Sequence, residues 1–256
     1  MASRGSILTR LNSRAYPAKL RFARVTGRKS MKSVYGPRFI IDQEDETYRY
    51  YINGSYGFGY WDYLITLERD FVFLDIGANQ GLFALGAAEN SRCSRVLAFE
   101  PVQRTYELLK KNLAVNRADE KVHPINVAIG AECGKAHMRL TPGHSGGARV
   151  VTSIGASSSD EIEVVRSIDA SELDAIVKPS HVAVIVKVDV EGYEMEVLHQ
   201  LFRTSFVDKM LSLCIEFDTR WHNYEELCEF LEPRGFRLRA KFSTSASHYD
   251  MLWVSS

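Results

Sequence analysis

The stretch FVFLDIGANQG, residues 71–81, decides how this chain is read. A continuous apolar run ends in Asp75 and Gly77, as a strand covered on both faces does at its carboxyl end. Gly77 permits a sharp turn and a close approach of backbone to ligand. The helix beyond it offers amide donors to a carboxylate or phosphate. Asp75 at the strand end can accept from an ammonium group. An amino-acid moiety carries both an ammonium and a carboxylate, so it suits this turn better than a pyrophosphate does.

Outward from this turn, strand and helix patterns alternate. Residues 80–90 read as a helix and RVLAFE (95–100) as the next strand. Val102, Tyr106, Leu109 and Leu113 mark one face of a helix over 102–116. HPINVAI (123–129), VAVIVKVDV (182–190) and LSLCIEF (211–217) read as three more strands, with helices after the last two. FRLRAKF (236–242) and YDMLWV (249–254) form a closing hairpin. Repeated βα units predict a doubly wound α/β fold, mostly parallel, with an antiparallel C-terminal hairpin edge. Residues 70–256 are read as this domain. An insertion at about 131–181 carries GHSGGARV and GASSS and two or three short strands. It is expected over the carboxyl ends of the sheet, where ligands bind in such folds. Residues 1–69 read as a basic arm and an aromatic-rich cap, with two short strands in 37–53 and a helix reaching Glu68.

Two further motifs carry chemistry. Glu100, before Pro101, ends the second strand 25 residues after Asp75, where an acid reaches ribose hydroxyls. The nicotinamide loop G-x-G-x-x-G is not met, since Asn79 and Leu82 stand where glycines belong. In KVDVEGYE, Lys187, Asp189 and Glu191 alternate onto one side of an apolar strand. Three charges there are costly if buried and unpaired, and make sense at the open end of the sheet. Lys187 is read as a structural ion-pair partner, and Asp189 and Glu191 as site residues.

FLDIGANQG, LAFEP with its helix ending LLKKNLAVN, INVAIG, VRSIDASELDAI and IVKVDVEGYEMEVL, in that order, closely resemble the FkbM-type methyltransferases over roughly residues 70–217. The resemblance implies a Rossmann-like sheet of seven strands and S-adenosylmethionine-dependent O-methylation of a sugar, glycan or natural-product hydroxyl. It implies that Asp75, Gly77 and Asn79 hold the methionine part, Glu100 with Pro101 the ribose side, and Asn126 and Val127 the adenine. Asp189 and Glu191 would face the methyl group and the acceptor. An alcohol must lose its proton during attack. Asp189, Glu191, His144, Glu216, Asp218 and His222 are the candidate bases, with Asp189 first and Glu191 and His144 beside it. A variant uses Asp189 with Glu216 or Asp218 to hold a divalent cation. Tyr56, Tyr60 and Trp61 are the aromatics best placed to meet an acceptor.

Composition narrows the partners. Apolar residues make up 45% and charged residues 25%, with no run long enough to cross a bilayer, which argues for a soluble protein. Cys93, Cys133, Cys214 and Cys228 and the seven histidines show no metal spacing, so no metal ligand is assigned from spacing. Scattered thiols fit a reduced, cytoplasmic protein. Residues 1–41 hold ten Lys or Arg and no acid, whereas the rest holds 22 basic and 32 acidic residues. A mitochondrial presequence would share that bias. The preferred reading is a solvated basic arm, with a short helix lying on the domain or on an anionic surface. The acidic body argues against a stable nucleic-acid partner. RNA ribose 2′-O-methylation and a non-catalytic cofactor-binding protein are the competing functions.

Overall fold

The computed structural model describes residues 4–151, 161–178, 182–243, 245 and 247–256. The chain begins with α1 (Arg4–Val25), β1 (Ser30–Lys32), β2 (Arg38–Ile40), α2 (Glu46–Asn53) and α3 (Phe58–Thr66). The alternating part follows as β3 (Phe71–Ile76), α4 (Leu82–Glu89), β4 (Cys93–Phe99), α5 (Gln103–Asn116) and β5 (Val122–Ile125). The insertion holds β6 (Ala128–Ile129), β7 (Gly134–Arg139), β8 (Arg149–Val151), β9 (Ile162–Ile168) and α6 (Ala170–Val177). The chain closes with β10 (Ala183–Val188), α7 (Glu194–Leu201), β11 (Met210–Asp218), α8 (Tyr224–Leu231), β12 (Phe236–Ser243) and β13 (His248–Ser255). The GASSS segment, 155–159, lies outside the described residues.

The main sheet has seven strands in the order β12-β13-β11-β10-β3-β4-β5. Its strands from β11 to β5 are parallel neighbours. β13 enters between β11 and β12, antiparallel to both. This is a Rossmann-like arrangement, α/β with a mostly parallel centre and an antiparallel strand toward one edge. The sheet is covered on both faces, and β3 shows why its residues are apolar without alternation: all six are buried. Phe71 and Phe73 face a core with Tyr48, Tyr60, Trp61 and Phe83. Val72, Leu74 and Ile76 face the other, with Leu173, Leu198 and Leu231. The aromatic-rich stretch before β3 thus shares one core with the sheet. A second sheet, ordered β6-β9-β7-β8, is built by the insertion.

Three expectations change. The second strand expected within 37–53 is helix α2. Asp45 caps its amino end, accepting from the Tyr48 amide at 3.2 Å, and Gly54 closes it in the left-handed conformation. Its buried residues, Thr47, Tyr48, Tyr51 and Ile52, recur with helical period despite their strand-like chemistry. The single strand expected at 123–129 is divided. β5 pairs with β4, β6 pairs with β9, and Asn126 between them donates to the carbonyls of Glu100 and Pro101. The basic arm is helical and lies on the domain, one of the two placements expected for it, but its helix is not short. α1 is 22 residues long, and its carboxyl half docks Ala23, Leu20 and Tyr16 onto the first core.

Candidate active site

The carboxyl ends of β3, β4, β10 and β11 open into a cavity of about 590 Å³, walled by α2 on one side and the insertion on another. The volume falls in the range of small-molecule sites. The β3–α4 turn forms part of its floor. Gly77 is required there by its own neighbours: its φ is +81°, and a Cβ would lie 1.7 Å from the Asp189 carbonyl oxygen. The close approach that this glycine permits is thus to the adjacent strand, with the Asp189 amide bonded to the Ile76 carbonyl at 3.0 Å.

Glu100 faces this turn. Its carboxylate accepts from the Asn79 amide through Oε2 and from the Val102 amide through Oε1, both at 2.9 Å. Burial pushes its carboxyl up to about 8 in spite of those two bonds. Each oxygen keeps lone-pair capacity for a further donor. Gly77, Asn79, Glu100, Pro101 and Val127 all line the cavity. Asp75 and Asn126 do not. Asp75 lies one layer below the floor, 1% exposed, with neither oxygen in a hydrogen bond of normal geometry among the described residues. Burial pushes it up to about 7, with the Lys187 ammonium pulling the other way. It therefore cannot meet an ammonium group of a ligand directly. Asn126 acts on the Glu100-Pro101 backbone, as described above.

Opposite Glu100 stand three carboxylates, Asp189, Glu191 and Glu216, whose ligating oxygens lie within 4.8 Å of one another. They differ in proton affinity. Asp189 Oδ2 accepts from the buried Lys187 ammonium and from the Tyr56 hydroxyl at 2.9 Å. Burial opposes its charge, but the Lys187 ion pair wins and holds the carboxyl below the usual range. Glu191 has no such cation beside it. Burial, then the charges of Asp189 and Glu194, push it up to about 8 against a pull from Arg220. Glu216 is pushed well up by burial and then by the charges of Asp189 and Glu191. Lys187, 1% exposed over the Phe83 ring, is held charged by Asp189, Asp250 and Asp75, which together outweigh its burial. The expected structural role of Lys187 is what its position provides.

Glu191 is also conformationally unusual, with φ +53°, a region a non-glycine side chain rarely adopts. Glu194 holds that turn by accepting from the amides of Val190 and Gly192 at 3.0 Å. His222 in turn pairs with Glu194 through Nε2. His222 is thereby committed to the scaffold and lies outside the cavity lining, which removes it as a base. Asp218, another candidate, is engaged by Arg220 and also lies outside the lining. His144 does reach the cavity. Its loop is tied to α2, with the Ser145 amide donating to Asp45 at 3.0 Å and the Gly146 amide to Thr47 at 3.0 Å.

The chain matches the methyltransferase FkbM domain over residues 75–238. It belongs to the FkbM methyltransferase family. The hexuronic acid methyltransferase AglP of Haloferax volcanii is 30% identical over 131 residues, 51% of this chain and 50% of that protein. The methyltransferase sdnD of Sordaria araneosa is 29% identical over 160 residues, 53% of this chain and 62% of that protein. The matched segments thus span only half to less than two thirds of these relatives. Among solved structures, the tRNA m1G37 methyltransferase of M. jannaschii superposes with a TM-score of 0.50 at 12% identity, over 89% of this chain and 56% of that one, a likeness of fold.

The FkbM frame leaves room for residues that sequence reading did not single out. Trp221, 39% exposed, lines the cavity mouth between the guanidiniums of Arg149 and Arg220, 5.1 and 5.2 Å from its ring. His248 lines the cavity with Nε2 2.7 Å from Glu216 Oε1. Of the three aromatics expected near an acceptor, only Tyr56 reaches the cavity, whereas Tyr60 and Trp61 are core residues at 0% and 3% exposure.

Proposed function

We propose that this chain is an S-adenosylmethionine-dependent O-methyltransferase acting on a hydroxyl of a sugar or related small molecule. The observation that carries this reading is the opposition, across one cavity, of Glu100 with its amide-bonded carboxylate and a trio of carboxylates with divided proton affinities. S-adenosylmethionine supplies a methyl group on a sulfonium, open to displacement by oxygen. Gly77 and Asn79 hold its amino-acid end, Glu100 accepts from the ribose hydroxyls, and Pro101 and Val127 flank the base. Positioning of the acceptor oxygen then supplies much of the rate. Glu191 takes the acceptor's proton, because a base with an affinity near neutrality suits this step better than one held far below it. Asp189 stays ionised on Lys187 and Tyr56 and fixes the site's field. This assignment moves the base from Asp189, the first choice on sequence, to Glu191.

The similarity to a hexuronic acid methyltransferase supports a sugar, as does the exposed Trp221 ring at the mouth, a surface for a sugar face. Transfer of labelled methyl to hexuronic acids, neutral sugars and RNA, with calorimetry of S-adenosylhomocysteine binding, tests the reading. Cofactor binding with transfer to RNA alone would replace it, and absence of cofactor binding would end it. A second reading rests on the proximity of the three carboxylates, a ligand set that suits magnesium or manganese. A cation there would polarise the hydroxyl. Activity lost to a chelator and restored by magnesium favours it, and activity indifferent to the chelator favours Glu191 acting directly.

A further inference from the structure

Helix α1 is tied to the body along one face. Tyr16, Leu20 and Ala23 recur at i, i+4 and i+7 and pack on the core. The opposite side is open and apolar. Phe22 is 55% exposed and Val25 87% exposed, and Ala18 one turn earlier is exposed as well. Positions 18, 22 and 25 therefore share one stripe of the helix. Cations border it. Arg21 and Arg28 are exposed, and the Arg28 guanidinium lies 4.9 Å over the Phe22 ring. Lys29 follows, and no acid occurs before Asp42.

An exposed apolar stripe bordered by cations calls for a partner that is both anionic and apolar. Nucleic acid would satisfy the arginines but offers no apolar depth for Val25. A bilayer presents anionic head groups above hydrocarbon, in the order in which this helix presents arginine beside phenylalanine and valine. No helix among the described residues is long and apolar enough to cross a membrane, so this one would lie in the interface plane. We propose that α1 is a membrane-interface helix that seats the protein on an anionic lipid surface, with Phe22 and Val25 in the head-group boundary and Arg21 and Arg28 on the lipid phosphates. This role is independent of the acceptor and of the residue that takes its proton.

The test is co-sedimentation of the full chain with phosphatidylcholine vesicles, with and without about 30% phosphatidylglycerol. At low salt, binding is expected to be much tighter to the anionic vesicles than to the neutral ones. Arg21→Gln and Arg28→Gln should each weaken it by about fivefold at low salt. Phe22→Ser with Val25→Ser should remove the binding that survives about 0.5 M salt, where the surface charges are screened. Both side chains are exposed, so the fold should persist, and circular dichroism and S-adenosylhomocysteine binding verify that it does. Four results overturn the proposal: equal binding to neutral and anionic vesicles, no binding to either, a serine variant that binds as the parent does, or self-association that the serine variant abolishes. Tighter retention on RNA than on vesicles would assign the helix to nucleic acid instead.

Discussion

Replacing Glu191 by Gln removes a proton-accepting group and keeps the shape of the side chain. Charge and burial, rather than hydrogen bonds, set the proton affinity of this carboxyl and push it up to about 8. If Glu191 is the base, the rate follows its deprotonated fraction. Between about pH 6.5 and 8.5 that fraction climbs from about 3% to about 76%, so kcat/KM should rise about 25-fold along a single limb. Glu191→Gln should lose that limb and lower turnover by roughly 100-fold or more, the scale of a positioned base. Stability should move the other way. A carboxyl whose folded value is raised gives stability that is fully present below about 4.5 and is lost as pH rises through about 8. Gln does not titrate, so at about pH 9 the variant should melt no lower than the parent and, by the same linkage, somewhat higher. The assay is initial-rate formation of S-adenosylhomocysteine at saturating cofactor with a hydroxyl acceptor, beside thermal melts at both pH values. A variant that keeps the limb near pH 8 and turns over within about threefold of the parent would refute the assignment, since general bases contribute far more than that.

Glu100→Ala should weaken S-adenosylhomocysteine binding by roughly 1–3 kcal/mol, measured by calorimetry, because the acceptor for the ribose hydroxyls is lost and the Asn79 and Val102 amides lose their partner. Asp189→Asn should lower unfolding stability by about 3 kcal/mol in urea titrations, as it leaves the Lys187 ammonium buried with only Asp75 and Asp250 to offset it; unchanged stability would mean that the ion pair contributes nothing. The ligand-free protein should melt at progressively lower temperature as pH rises from about 5 to about 8.5. Asp75 and Asp250 are pushed up to about 7 and Glu100 to about 8, so stability held below their ordinary values is lost as pH passes through these folded ones.

The central strands β3, β4, β10 and β11 were legible because each is a largely apolar run ended by an acid or a glycine, and a sheet covered on both faces demands such runs. Helix α2 was not, because Thr47, Tyr48, Tyr51 and Ile52 have strand chemistry, and only the Asp45 cap and the Gly54 terminator reveal the period. The direction of Asp75 could have been read. It alternates with Phe71 and Phe73, so it turns with them toward the core behind the cavity floor. Trp221 and His248 were invisible for a different reason. β13 inserts between β11 and β12, which sets His248 opposite Asp218 across thirty residues of chain. Gly192 lies under Trp221, where a Cβ would come within 3.1 Å of the ring. Neither contact has a local period.

What sequence spacing conveys least is how charge is shared once the residues meet. Lys187, Asp189 and Glu191 stand two apart, and spacing alone makes the two acids equivalent. In the fold they are not. Lys187 points beneath the floor, where Asp75 and Asp250 already crowd it, and its ammonium reaches only Asp189 among the three cavity carboxylates. One buried cation therefore fixes Asp189 as the charged member. Burial raises Glu191 and Glu216 most, and that fixed charge, repelling them at short range, raises them further. The left-handed turn at Glu191, held by Glu194 and through it by His222, keeps the raised carboxyl at the cavity surface instead of letting it turn to water. Removal of the cation would let Asp189 take a proton, and the repulsion that tunes Glu191 would go with it. The proton affinity of Glu191, the proposed base, is thus tuned through Asp189 by a residue that lies outside the cavity lining.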